Sequence, residues 1–404
     1  MKNLIIIGKV FPEPNSTAAG SRMIQLMDSF LTQNYQITFL STASVSENSF
    51  DLSSKNISFQ NIVLNDSSFD ELIKNLNPEI VIFDRFTTEE QFGWRVSEQV
   101  PNAVKILDTE DLHFLRNARE KAFKQNRNLE HLDLINDVFK RELASILRCD
   151  LSLIISEFEM NLLIEKFKFY ENILFYLPLF GKVKNPETSF SERKNFISIG
   201  NFLHEPNWQT VLQLKKLWKD IKKQLPEAEI HIYGAYASEK VFQLHNEKEG
   251  FIIKGRAENV EYVFSQAKVL LAPIPFGAGI KGKLLESMQF GLPNITSTVG
   301  AEAMQGNFDW NGFITDNETE FVEKAVLLYQ DENFWQISQE NGFNIIENRF
   351  KKELFEPHFI HKIQEISENL ESHRNQNFLG QILQHHTLQS TKYLSKWIEE
   401  KNKK

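Results

Sequence analysis

The chain has 404 residues, 41% hydrophobic and 25% charged, an ordinary globular composition with more length than one hydrophobic core usually organises. A formal charge of -9 excludes a protein that coats nucleic acid with a basic surface, though not a local basic patch. One cysteine, Cys149, excludes an intrachain disulfide and a cysteine-rich metal site, and fits a reducing compartment.

The opening "NLIIIG" is too short an apolar run for a secretory signal and reads as a buried parallel strand. A polar loop, "KVFPEPNSTAAGS", precedes "RMIQLMDSFLTQ", where Met23, Leu26, Met27 and Phe30 share one helical face. "YQITFLST" is a second strand, "FDELIKNLNP" a helix closed by proline, and "EIVIFDRF" and "AVKILDTED" two further strands with polar carboxyl ends. A long helical region over 112–148 leads into "DLSLIISEFEMNLLIEKF", a strand passing into a helix. The rhythm pauses in the polar stretch 178–195 and restarts at "FISIGNF". The helix "NWQTVLQLKKLWKDIKKQL" follows, then the strands "EIHIYGAY", "FIIKG" and "KVLLAPI" with helices between them. Strand alternating with helix means a parallel sheet covered on both faces. Two doubly wound α/β halves are therefore expected, over 1–185 and 186–345, with a helical tail over 346–404. No stretch approaches the ~18 consecutive apolar residues that span a bilayer.

The most informative segment is "PIPFGAGIKGKLLESMQFGLP", residues 273–293, behind the fourth strand of the second half. Gly277 and Gly279 let backbone approach a ligand, and a helix starting near Ile280 aims its positive end at the same place. Lys281 and Lys283 add charge, and Glu286, about two turns in, is placed to accept ribose hydroxyls. Glycine loop, helix start and lysines together make a phosphate cradle. The plainer reading is a turn with solvated lysines, Glu286 pairing with Lys283.

The second half resembles the nucleotide-binding domain of GT-B glycosyltransferases of the family-4-like, retaining group. The resemblance rests on "GNFLHEPNW", "HIYGAY" and "FIIKGRAENVEYVFSQAKVLLAPIPFGAGIKGKLLESMQFGLPNITSTVGAEAM", in order over about 130 residues. The first half resembles the acceptor domain more loosely, through its opening strand and loop, "DTEDLHFLR" and "LIISEFEMNLL". The tail resembles the crossover helices.

This resemblance implies a GT-B fold, a nucleoside-diphosphate sugar (UDP- or GDP-linked) as donor, no further cofactor and no metal. Gly277, Gly279, Ile280 and Lys281 would line the sugar-diphosphate site, Glu286 would grip the ribose, and Arg256 would border the base. There are two departures. Ala278 stands where the paired-glutamate motif has its first glutamate, and Asn201 where an arginine is common; Lys281 and Lys283 are read as replacing the missing positive charge.

In the first half, Gly20 and Arg22 follow the first strand at a helix start, facing a phosphate or, in the plainer reading, with Ser21 as cap and Arg22 exposed. Asp111 and His113, in a cluster with Asp108, Glu110, Arg116 and Arg119, are candidates to contact the sugar or orient the acceptor hydroxyl. Asp84 and Arg85 read as a salt bridge. His204 is a candidate for the sugar, while Pro206 and Asn207 start a helix. The expected catalytic set is His113, Asp111, Lys281 and Glu286.

In the tail, Tyr393, Leu394, Trp397 and Ile398 are expected to pack on the first domain beneath solvated lysines, or else to touch lipid headgroups. The expected activity is hexosyl transfer from the donor to a hydroxyl on a glycan, lipid-linked sugar, metabolite, protein or RNA. The expected location is cytoplasmic, or peripheral at the inner membrane face. A sugar-nucleotide epimerase and a non-catalytic GT-B subunit are the alternatives.

Overall fold

Seven segments of the first half are strands in the computed structural model, which describes residues 2–184 and 188–403. They are β1 (Lys2–Gly8), β2 (Tyr35–Ser41), β3 (Ser58–Asn61), β4 (Ile80–Asp84), β5 (Val104–Asp108), β6 (Leu151–Ile154) and β7 (Leu174–Tyr176). They form a parallel sheet of order β3-β2-β1-β4-β5-β6-β7. Side chains alternate across it. Ile5, Ile7, Val81, Phe83 and Leu107 enter one core, and Leu4, Ile6, Ile80, Ile82 and Ile106 enter the other. Burial on both faces explains why β1, β4, β5 and β6 read as continuous apolar runs, while the wholly exposed β3 and the three-residue β7 were not expected from the sequence.

The second half repeats the plan with β8 (Lys194–Ile199), β9 (Ile230–Tyr233), β10 (Phe251–Gly255), β11 (Ala267–Ala272), β12 (Asn294–Thr296) and β13 (Gly312–Ile314). Its order is β10-β9-β8-β11-β12-β13, again parallel throughout. Strand order reverses beside β1 in the first sheet and beside β8 in the second. Ligand crevices of open α/β sheets form at such reversals. The expected boundary between residues 185 and 186 lies outside the described residues.

Several local expectations are corrected. The region 112–148 is two helices, His113–Lys124 and Asp137–Arg148, because Asn126 turns left-handed (φ 49) directly after the first. The helix Ala18–Leu31 is capped by Thr17, whose hydroxyl accepts the Gly20 N–H at 2.9 Å; the Ser21 hydroxyl instead donates to the Pro14 carbonyl. In the tail, Phe359, Ile363 and Ile366 are buried in the first lobe's core. The last helix, Phe378–Asn402, lies on the helices Phe86–Gln99 and Asp137–Arg148. The face it turns inward is mostly polar, and of the expected apolar stripe only Ile398 is half-buried. Ser395 is buried within reach of Arg95, and Gln384 accepts from the Lys105 ammonium at 2.9 Å. Tyr393, Leu394 and Trp397 consequently stand in solvent, about 60% exposed, instead of packing on the first lobe. Among the described residues no helix is long and apolar enough to cross a membrane.

Candidate active site

The carboxyl ends of the two sheets open onto one cleft of about 590 Å³. Lys9 after β1, Asp84 ending β4, Gly200 after β8 and Ile274 after β11 all line it, so the reversal points of both sheets face it. From the first lobe come Gly20, Asp111 and His113. The second lobe contributes His204, Asn207 and Arg256, together with a wall formed by Gly277, Ala278, Gly279, Ile280, Lys281, Lys283 and Glu286.

Arg22 is elsewhere. It is 1% exposed, its Nε donates to Asp108 at 2.8 Å and its Nη1 to the Leu177 carbonyl at 2.7 Å. The reason is helical spacing: Arg22 lies on the face of Met23 and Leu26, which points into the lobe. It is not exposed, and it does not line the cleft.

The wall is a strand-to-helix loop held from across the cleft. Gly279 has φ +64, and a Cβ there would come 2.9 Å from the Asp111 Cβ, so only glycine fits both the backbone and the neighbour. Its N–H donates to the carboxylate of Glu159 at 2.9 Å. One lobe-crossing arginine, Arg119, donates to the Gly277 carbonyl at 2.7 Å and forks onto Glu302 at 2.6–2.8 Å. The helix begins at Gly282 and not near Ile280, with Lys281 as its N-cap residue, and Glu286 lies about one turn in. No side chain caps this helix, so its first amides open towards the cleft. A Cβ on Gly282 would lie 2.7 Å from the Ala18 Cβ. The starts of the helices Ala18–Leu31 and Gly282–Gln289 therefore abut, and two positive helix ends meet at one place.

Charge reinforces the point. Lys281 bonds its own loop, donating to the Gly279 carbonyl at 2.6 Å, and Lys283 donates to the Asn207 amide oxygen at 2.7 Å. The pairing of Lys283 with Glu286 does not form. Burial pushes the ammonium pKa of each lysine down to about 8, against the pull of Glu302, Glu159 and Asp111 on Lys281 and of Glu286 on Lys283. Burial likewise pushes the Glu286 carboxyl up to about 7, opposed by Lys283, and no hydrogen bond reaches it among the described residues. Two cations lack carboxylate partners within ion-pairing distance, and one carboxylate is free to accept hydroxyls.

The facing wall is strained and acidic. Arg85 and Glu110 follow β4 and β5 with φ of +69 and +65, a region unfavourable for residues with a Cβ. Asp84 accepts the Lys9 amide and pairs with Arg85 at 3.3 Å. Burial, then Asp108, pushes the Glu110 carboxyl up to about 8, and its Oε1 has no partner among the described residues. Burial acts the same way on Asp111, but Arg116, His113, Arg85 and Lys281 together hold that carboxyl below its ordinary value. His113 turns Nδ1 towards the Asp111 carbonyl at 3.1 Å and the Glu142 carboxylate at 3.2 Å. A ring proton on Nδ1 leaves Nε2 as the acceptor nitrogen.

Sequence reading missed the residues that set this geometry. Glu142 receives the amides of His113 and Phe114, each at 3.0 Å, and so pins the start of that helix. Glu159 holds the Gly279 loop. Each carries one faint signal: an acid at i±4 from buried apolar residues, Glu142 with Ile146 and Glu159 with Ile155 and Leu163.

Residues 193–331 match the family model described as Glycosyl transferases group 1. The whole chain has the GT-B fold, two Rossmann-like lobes facing a cleft, and superposes on solved glycosyltransferases. TarM of S. aureus, in complex with fondaparinux, α-GlcNAc-glycerol and UDP, is 10% identical with a TM-score of 0.70, over 90% of this chain and 100% of that one. A glycosyltransferase of Rickettsia africae ESF-5 is 13% identical with a TM-score of 0.66, over 91% and 99%. HepE of Anabaena, in complex with UDP, is 11% identical with a TM-score of 0.65, over 92% and 100%. No curated protein sequence matches the chain significantly.

Proposed function

We propose that the cleft binds a uridine diphosphate sugar and transfers its hexosyl group to a hydroxyl acceptor. The observation that carries this reading is the meeting of two helix starts with Lys281 and Lys283, on the same wall as the unpartnered Glu286 carboxylate. A pyrophosphate there would draw on both helix ends and both ammonium groups, and Glu286 would accept two ribose hydroxyls. As the sugar–oxygen bond breaks, charge grows on the departing diphosphate, and these fixed donors stabilise it without reorganising. The first-lobe wall would hold the acceptor, with His113 Nε2 accepting from the attacking hydroxyl. We take the transfer to be metal-independent and to retain configuration, the second on the strength of the resemblance to retaining enzymes. The neighbours' UDP supports the choice of base.

One observation favours a second reading, a non-catalytic subunit. Glu159 occupies the Gly279 amide and Lys281 bonds its own loop, so part of the cradle is satisfied from within.

Thermal shift with UDP, GDP and their sugars separates the two. A ligand at a hundred times its Kd stabilises by about 2.7 kcal/mol. UDP should raise Tm in the wild type and much less in Glu286→Ala and Lys281→Ala. Transfer or donor hydrolysis should survive EDTA, with the product anomer matching the donor's. Absence of any shift across the panel would overturn nucleotide binding; a shift with neither transfer nor hydrolysis would favour the subunit.

A further inference from the structure

Glu159 has no place in the chemistry above. It belongs to the short helix Glu157–Asn161 of the first lobe, is fully buried, and does not line the cleft. Yet its Oε1 accepts two amides at once, Leu112 at 3.0 Å and Gly279 at 2.9 Å. The first lies in the peptide between Asp111 and Leu112, one residue before His113. The second opens the loop that carries Lys281. A single carboxylate oxygen thus spans the lobes, joining the acceptor-side segment to the phosphate-side segment.

The arrangement is costly as pure scaffolding. The second oxygen, Oε2, has no partner among the described residues, and the residue is wholly buried. Burial, then Asp111, pushes its carboxyl up to about 8, although the Leu112 and Gly279 amides and Lys281 all favour the charged form. A buried acid that holds two amides but leaves half its own capacity unused is the kind of local inconsistency that folds keep where function demands it.

We propose that Glu159 is a positioning residue for the transfer reaction, fixing the distance between the Asp111–His113 segment and the Gly279–Lys281 loop by holding both amides on one oxygen. The inference rests on the glycosyltransferase reading for its consequence, but not for the bridge itself. It also bears on Ala278. The loop lacks the first carboxylate of the paired-glutamate motif, and an acid from the other lobe organises the next peptide instead.

Two near-isosteric variants test it. Glu159→Gln keeps an oxygen acceptor; Glu159→Met keeps the volume and removes it. The first readout is hydrogen exchange of amides 277–281 in the unliganded protein, which needs no substrate. Protection at Gly279 should persist in Glu159→Gln and be lost in Glu159→Met. Glu157→Gln serves as control: it breaks the ion pair with Arg349, another contact of the same short helix, and should leave Gly279 protected. The second readout is transfer kinetics. A misplacement of about 1 Å costs on the order of a hundredfold in rate, so Glu159→Met should lose about that in kcat with donor KM within about threefold, and Glu159→Gln should stay within about fivefold of wild type. Unchanged protection in Glu159→Met, or protection lost with kcat intact, overturns the proposal. Should the wild type transfer nothing, the functional reading falls, while the exchange result still decides whether Glu159 joins the lobes.

Discussion

Arg22 shows what a single buried charge does in this protein. Its guanidinium meets one oxygen of Asp108 and one carbonyl, while its Nη2 and the other oxygen of Asp108 have no partner among the described residues. Burial raises the Asp108 carboxyl pKa above its ordinary value even with Arg22 beside it. Such a pair adds little net stability over apolar residues, but breaking it strands a charge. Arg22→Met should therefore destabilise by about 3–5 kcal/mol in urea unfolding, and Arg22→Met with Asp108→Asn should recover a large part of that loss. If the single variant unfolds like wild type, the ion pair is not what holds β5 to the helix Ala18–Leu31. The sequence reading takes Arg22 as exposed or facing a phosphate, although spacing puts it on the buried Met23–Leu26 face of "RMIQLM". Its partner was not legible, because Asp108 lies 86 residues away.

At the scale of elements, the two abutting helix starts set propensity against packing. Gly282 opens its helix with ordinary backbone angles, so alanine gains up to about 1 kcal/mol of helix propensity, less at a first position than in the interior. Its Cβ, however, would sit 2.7 Å from that of Ala18, and overpacking costs typically about 1–3 kcal/mol. Packing wins. Gly282→Ala should lower stability by about 1–2 kcal/mol and reduce the Tm shift given by UDP, since the two positive ends must separate; a stabilised variant would mean that the helices do not meet as described. Most strands of both lobes were legible because burial on both sheet faces leaves unbroken apolar runs such as "NLIIIG" and "KVLLAPI", whereas the exposed β3 and the helix Phe86–Gln99 were not read. The cradle was legible too, since its glycines and lysines are contiguous in sequence. What joins it to the other lobe was not. Glu142, Glu159 and Arg119 act on groups 28 to 183 residues away, and nothing on their own helices names those partners. The tail misled for the opposite reason: its apolar stripe suggested packing, but the helix turned Ser395 and Gln384 inward.

Taken as a whole, the molecule gathers five strongly perturbed groups where the lobes meet, and their titration should be visible in its stability. Glu159 and Glu110 have carboxyls raised to about 8, and Glu286 to about 7, all chiefly by burial. For each, the folded form keeps a proton that the unfolded chain has lost between about pH 4.5 and the folded value. The unfolded state then binds fewer protons, so stability falls as pH rises through that window, by at most about 1.4 kcal/mol per pH unit per group. Lys281 and Lys283, lowered to about 8, act above it. Between about pH 8 and 10.5 the folded form has shed their protons while the unfolded chain retains them, so their contribution rises with pH. The unliganded protein should accordingly lose Tm from pH 6 to 8 and lose it less steeply, or regain it, from 8 to 9.5. Glu159→Gln, which cannot ionise, should flatten the first limb. A slope that Glu159→Gln leaves unchanged would mean that the Glu159 carboxyl titrates as if in contact with water, against its burial between the lobes.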